Sequence, residues 1–85
     1  MRVWGKIKNE DVICSETTID AISFQAAVDC ICSFFDLSKP LICAKHFSEI
    51  EAFSRTVFFP DDFVEKVSFD VLEVEIIGDV NKPEI

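Results

Sequence analysis

Apolar and polar side chains alternate along the first part of the chain. Across residues 2–8, the odd positions hold Val, Gly and Ile, whereas the even positions hold Arg, Trp and Lys. A period of two predicts a β-strand with one buried face. Asn9 and Glu10 interrupt the alternation, and an extended pattern resumes from Val12 to about Thr17. Together the two segments predict a β-hairpin.

The pattern then changes to spacings of three and four residues, which are typical of an amphipathic helix. The apolar positions with this spacing are Ala21, Phe24, Val28, Ile31 and Phe35. With Asp20 as the N-cap, the helix is predicted to run to about Asp36 and to end before Pro40.

The apolar side of this predicted helix is wider than contact with one sheet requires. Ala26, Cys30 and Phe34 extend it around the helix. An apolar surface of this kind is typical of an interface, or it is covered by another segment of the chain. We therefore expect either self-association through these residues or their coverage by residues 45–59.

Shorter elements are predicted after the helix. Residues 41–43 form an apolar run after Pro40 that predicts a short buried strand. Residues 45–52 fit one face of a short helix. The longer segment 45–59 is compatible with a helix, a strand or both.

The last third of the chain has a clearer pattern. Residues 56–59 are predicted to be extended, and residues 60–63 to form a turn or a single helical turn with acidic residues at its start. A ten-residue run rich in β-branched side chains, residues 68–77, predicts the last strand. Residues 79–85 are predicted to form a loose tail.

These elements predict an α+β protein with a single small domain at residues 1–78. We expect a mixed sheet of four to five strands packed on one long helix. The order of a hairpin, a helix, a strand, a short helix and a strand is similar to that of the ubiquitin-like β-grasp fold. In that fold the first and last strands pair in parallel at the centre of the sheet. Another two-layer α/β sandwich is the alternative.

Charged residues of the first and last strands are expected to meet on the open face of this sheet. Lys6 and Lys8, together with Arg2, are predicted to lie beside Glu73 and Glu75. Trp4, which shares the face with the basic residues, is expected to lay its ring against the lysine stems. The same face, with Arg2, Trp4, Lys6 and Lys8, is a candidate interaction surface.

Composition and charge narrow the class of protein. Of the 85 residues, 49% are hydrophobic and only two are Gly, which indicates a folded domain. No apolar run approaches the roughly 20 residues that span a bilayer, and the first residues lack the apolar segment of a signal peptide. A cytoplasmic protein is expected. The formal net charge of -8 disfavours nucleic acids and anionic membranes as partners.

The four cysteines, at positions 14, 30, 32 and 43, lie in apolar or strand-like segments, and buried free thiols explain this better than disulfides do. Cys43 and His46 have a spacing that suits a thiol nucleophile with its base, or half of a zinc site. A zinc site needs four ligands, and the pair supplies only two. A thiol nucleophile is usually accompanied by a glycine-rich oxyanion loop, and the sequence has none near the pair. We assign no catalytic residue, no metal ligand and no cofactor, and keep Cys43 and His46 as the alternative site.

The segments RVWGKI, at residues 2–7, and KPLICAKHFSEIEAFSRTVFFPDDFVEKVSFDVLEVEI, at residues 39–76, carry a family resemblance. With them the chain resembles a small family of proteins from Gram-positive bacteria that has no assigned activity. The resemblance implies a bacterial, cytoplasmic source, and it supplies no catalytic or binding residue.

The function expected from the sequence is non-catalytic. We expect a small acidic protein that binds another protein or associates with itself, as a homodimer, through the helix side with Ala26, Cys30 and Phe34 or through the Trp4 face. A small thiol-dependent enzyme or metal-binding protein that uses Cys43 and His46 is the alternative.

Overall fold

Four antiparallel strands and two helices make up the described part of the chain. The computed structural model describes residues 1–78. The elements, in chain order, are β1 (Arg2–Asn9), β2 (Val12–Asp20), α1 (Phe24–Phe34), α2 (Ala44–Phe53), β3 (Arg55–Phe58), a 3-10 turn (Pro60–Asp62) and β4 (Val71–Gly78). The α+β class is confirmed. The prediction of a tail at residues 79–85 lies outside the described residues.

The sheet has the strand order β2-β1-β4-β3, and every neighbouring pair is antiparallel. The first and last strands are central neighbours, but they run in opposite directions, with Lys6 opposite Glu73 and Trp4 opposite Glu75. The predictions of a mixed sheet and of β-grasp order are therefore wrong. Parallel and antiparallel neighbours place the same side chains on the same face, so the charge pattern alone did not distinguish the two directions.

The predicted hairpin is confirmed, and a two-residue turn closes it. Glu10 and Asp11 have φ angles of 51° and 65°. Positive φ at both central residues is the requirement of a turn that matches the twist of the strands. The carboxylate of Asp70 accepts the Glu10 backbone N–H at 2.7 Å, which holds the turn to the start of β4.

Helix α1 is shorter than predicted. Its N-cap is Ser23, whose hydroxyl accepts the Ala26 backbone N–H at 3.1 Å, whereas Asp20 is the last residue of β2. The helix ends at Phe34, and Asp36 beyond it has a φ of 57°, which a continuing helix does not allow. The prediction of one long helix is therefore wrong, because a second helix of similar length follows it.

The loop before α2 replaces a predicted strand. Pro40 makes a single bridge with Phe63, Leu41 is exposed, and Cys43 is the N-cap of α2. The apolar run 41–43 is thus the lead-in to a helix. The predicted helix near residues 45–52, the extended segment near 56–59 and the helical turn at Pro60 are confirmed. The last strand begins at Val71, three residues later than predicted.

Both helices pack on one face of the sheet, as in the alternative of a two-layer sandwich. α1 packs over β2, and Ile31 of α1 lies so close to β1 that only a glycine fits at position 5. α2 packs over β3, where the His46 ring stacks on Phe58 at 4.3 Å between centroids. Phe24 of α1 contacts Phe47 of α2 edge to face and joins the two halves of the core.

Candidate interaction surface

An ion cluster occupies the sheet face opposite the helices. The ammonium nitrogen of Lys6 lies 2.6 Å from Glu73 Oε2 and 2.9 Å from Glu75 Oε1. Lys8 donates to the other oxygen of Glu73 at 2.9 Å. The Lys6 nitrogen also lies 3.7 Å from the centroid of the Trp4 ring. The sequence-based pairing of these lysines with Glu73 and Glu75 is confirmed, and the contact of Trp4 is a cation-π contact.

The cluster is buried although no helix covers it. The side chains of Lys6 and Glu73 are 5% and 8% exposed. Burial alone would lower the pKa of Lys6, but hydrogen bonds to Glu73 and Glu75 raise it above its ordinary value. Burial alone would raise the pKa of Glu73, but hydrogen bonds from Lys6 and Lys8 lower it. Both groups are therefore held in their charged forms.

The free energy of unfolding is expected to decrease as the pH falls below 4.5, the ordinary pKa of a glutamate. The pKa of Glu73 is lower in the folded than in the unfolded state. Its ion pairs therefore stabilise the fold above pH 4.5, and this contribution disappears as the pH falls through the lowered pKa. Lys6 has the opposite sign, so its contribution is lost only above pH 10.5.

Urea unfolding of wild type and of a Glu73→Gln variant across this pH range measures the effect. The variant should be the less stable protein at neutral pH, and the difference between the two should shrink below pH 4.5. A difference that stays constant through the acid range would show that Glu73 does not carry the pH dependence.

The other two residues of the basic face also have partners within the chain. Trp4 Nε1 donates to Glu16 at 2.9 Å, and the Arg2 guanidinium lies 3.5 Å from the carboxylate of Asp20. Each cationic side chain of β1 thus faces a carboxylate. The face with Arg2, Trp4, Lys6 and Lys8 therefore does not present a basic patch to an anionic ligand.

Cys43 and His46 lie together at the start of α2, but the thiol does not contact the imidazole. His46 Nδ1 accepts the backbone N–H of Cys43 at 2.8 Å. Cys43 Sγ lies 4.0 Å from the carbonyl oxygen of Leu41. His46 therefore caps the helix N-terminus, a role usually taken by a glutamate or glutamine at the same position. The geometry does not form a nucleophile and base.

The remaining nitrogen of His46 faces the 3-10 turn. Because Nδ1 accepts a hydrogen bond, the neutral ring carries its hydrogen on Nε2. Nε2 lies 3.6 Å from Asp62 Oδ2 and has no hydrogen-bond partner within residues 1–78. Asp62 Oδ2 instead accepts the Phe59 N–H at 2.9 Å. The fully buried His46 ring thus connects α2, β3 and the turn, which is a structural role.

The cysteines do not all behave as buried thiols. All four are free, but Cys14, Cys30 and Cys43 are exposed and only Cys32 is buried. The prediction of burial is wrong for these three because Cys14 lies on an edge strand, Cys30 on the outer side of α1 and Cys43 at a helix N-cap. Burial, followed by the nearby Asp29 carboxylate, raises the pKa of Cys32 to about 11. A thiol with this pKa stays protonated at neutral pH.

The outer side of α1 is an uncovered apolar surface. Cys30 and Phe34 lie one helical turn apart and are exposed, with half-buried Ala26 one turn before them. Phe34 is 64% exposed and contacts Phe35 edge to face. Within the described chain, α2 packs over β3 and leaves these residues open. Of the two sequence-based alternatives, coverage by residues 45–59 is therefore excluded for Phe34.

Two adjoining clefts lie at the loop between the 3-10 turn and β4. One, of about 410 Å³, has Phe63 and Phe69 among its lining residues, and its charged residues are Asp36, Glu65 and Lys66. The other, of about 450 Å³, shares Phe63, Glu65 and Lys66 with it. Apolar rings with charges of both signs favour no single class of ligand. Sequence reasoning did not find either cleft, because loop residues carry no periodic signal.

No three His, Cys, Asp or Glu side chains come together as metal ligands within residues 1–78. None of the helices in this part of the chain is long and apolar enough to cross a membrane. Neither Cys14 nor a helix thiol joins Cys43 and His46 in such a group.

No protein-family model, curated protein or solved structure matches this chain. The family resemblance and the bacterial source therefore stay predictions. The function has to be argued from the geometry of the chain itself.

Proposed function

We propose that this is a non-catalytic protein that works through self-association, with the outer side of α1 as the contact surface. The observation that supports the proposal is the exposure of Phe34 together with Cys30 on a helix whose other side is core. A large exposed aromatic ring in a continuous apolar patch is typical of an interface.

The chemistry of the chain supports a binding role over catalysis. The one sequence-based catalytic pair does not form, because His46 contacts the backbone of Cys43 and not its thiol. The ion cluster of β1 and β4 is satisfied internally, since Lys6, Lys8 and Glu73 all have partners at 2.6 to 2.9 Å. Both arrangements stabilise the fold and leave no activated group for a reaction.

The partner class follows from charge. An excess of acidic residues, with a net charge of -8, repels phosphate groups at long range. We propose a protein partner in preference to nucleic acid or an anionic membrane. A second copy of this chain fits because the α1 side with Ala26, Cys30 and Phe34 carries no charge and can pair with itself across a two-fold axis. The cytoplasm is the proposed location.

A Phe34→Glu variant is expected to convert a wild-type dimer into a folded monomer. In the dimer, the carboxylate would lie within the contact and lose its hydration. The loss of hydration costs much more free energy than placing a carboxylate on a solvent-exposed surface. Light scattering across a series of protein concentrations gives the molar mass, and circular dichroism shows whether the variant stays folded.

Phe53→Glu is the matched control. Phe53 is 73% exposed, comparable to Phe34, and its substitution makes the same change of side chain and charge. Phe53 lies at the end of α2, the helix that packs over β3, and so outside the proposed contact surface. We expect it to leave the dimer intact. Equal loss of the dimer in both variants would point to a general charge effect and would refute α1 as the contact surface.

A further inference from the structure

The outer edge of β2 is suited to pair with a second strand. β2 has nine residues and lies at one end of the sheet, and within residues 1–78 no strand pairs with its outer side. It contains no Pro or Lys, two of the residue types that protect an edge, and its two charged residues, Glu16 and Asp20, lie on the open face of the sheet. Its bulge lies opposite Ile7 and Lys8, so residues 15–20 keep a regular register. The other edge, β3, has four residues, and Pro60 follows closely.

The exposed side of α1 faces the same edge. Asp29 lies 3.5 Å from Lys39 in the connection that leads to α2. At 100° per residue, Phe34 lies about 140° around the helix from Asp29. α1 packs over β2, at the opposite end of the sheet from α2 over β3. Phe34 and Cys30 are therefore on the side of α1 that looks away from α2, toward the open edge of β2.

A contact that includes both the helix and the edge buries more area than either surface does alone. A specific dimer buries about 800 Å² per partner, which the short apolar side of α1 does not provide by itself. Since α1 lies over both β1 and β2, joining two copies at β2 would bring the two α1 axes to about 10 Å from each other. Packed helices have this separation. One dimer thus covers both the strand edge and Phe34.

We infer that two copies of this chain pair through antiparallel β2 strands, on a two-fold axis perpendicular to the sheet, and that this forms a continuous sheet with both α1 helices on one side. The inference rests on the proposed self-association and adds the strand pair through which it occurs, the two β2 strands, which form the β2 seam. It assigns to the edge of β2 a role that neither the apolar pattern of α1 nor the charges of β1 indicated.

The register follows from symmetry and charge. A two-fold axis perpendicular to the sheet pairs residues that share a face. The axis therefore lies between the two copies of one residue, which face each other across the two strands. Two registers keep the longest overlap within residues 15–20, one centred on Thr17 and one on Thr18. The second places Glu16 opposite Asp20 of the other copy, twice. The first places Glu16 opposite Thr18, so like charges are not opposed, and the dimer is centred on Thr17.

This register makes a prediction at an exposed residue. Thr18→Lys places an ammonium opposite Glu16 of the other copy in two symmetric pairs, and is expected to tighten the dimer about three- to tenfold. Thr18→Glu opposes two carboxylates and is expected to weaken it by a similar factor. Thr18 lies on the open face of the sheet, so neither change enters the core. Dissociation constants come from sedimentation equilibrium at low salt.

Ser68→Lys and Ser68→Glu are the controls. Ser68 is exposed in the loop before β4, and its substitutions change the net charge by the same amounts. Opposite shifts at Thr18, with little change at Ser68, would support the seam. Shifts at Thr18 that match those at Ser68, while Phe34→Glu still gives a monomer, would refute the β2 seam and keep the proposed function. A wild type that stays monomeric at every concentration refutes both.

Discussion

Replacing Lys6 with methionine is expected to lower the free energy of unfolding by about 3 kcal/mol, the cost typical of breaking a buried ion pair. Its ammonium group contacts both Glu73 and Glu75 and lies over the Trp4 ring. Without Lys6, the buried carboxylate of Glu73 keeps only Lys8 as an ionic partner. The methionine preserves most of the apolar stem of Lys6, so the loss of stability reflects the missing charge.

Two controls make this prediction specific. Lys8→Met should cost about 1 kcal/mol or less, because Lys8 is more exposed and has one partner in the cluster. Lys6→Met combined with Glu73→Met should recover much of the loss, since no uncompensated charge then stays buried. Urea unfolding at one fixed protein concentration measures all three, because association adds to apparent stability. Equal losses for Lys6→Met and Lys8→Met would contradict the buried cluster.

Gly5→Ala is the second substitution with a large expected effect, a loss of about 2 kcal/mol from overpacking. A Cβ at this position would lie 2.6 Å from Ile31 Cγ2 and 2.9 Å from its Cδ1. Ile31 is fully buried, so any shift of its side chain has to displace neighbouring core atoms. Gly5 therefore sets the distance between β1 and α1.

A double-mutant cycle separates this clash from the backbone effect of the glycine. In an Ile31→Ala background the crowding atoms are absent, and Gly5→Ala should be neutral or slightly stabilising, because alanine loses less backbone entropy on folding. The background itself is expected to cost about 2 to 5 kcal/mol through the cavity it leaves. The same loss for Gly5→Ala in both backgrounds would contradict the close approach of Ile31.

Alternation and charge were enough to predict much of the sheet. The pattern of β1, the hairpin and the pairing of Lys6 and Lys8 with Glu73 all follow from period two in a strand and from opposite charges on one face. The direction of the pairing between β1 and β4 did not follow, because face and charge are the same in either direction. Element order resembled a parallel arrangement, and the structure corrects it.

Local signals near helix ends were harder to interpret. Asp20 and Ser23 are both good N-cap residues, and only the extent of β2 shows that Ser23 takes the position. At α2 the cap is formed by His46 and the backbone of Cys43, which the sequence does not reveal because the usual capping side chains are absent. The apolar run before Cys43 then resembled a strand.

The candidate surface could be predicted only in part. The excess apolar side of α1 was visible in the sequence through Cys30 and Phe34, and both residues are exposed in the structure. The edge of β2 was not visible, because strand order depends on contacts between distant segments. A nine-residue strand without Pro or Lys was the signal that the sequence offered.

Sedimentation equilibrium of the wild-type protein tests self-association most directly. Over a series of rising concentrations, the mass should approach twice the 9.6 kDa of one chain. In the dimer, hydrogen exchange should show protected amides along the outer edge of β2. A mass that stays at 9.6 kDa at every concentration, in a protein with the dispersed amide spectrum of a folded state, would contradict the proposal.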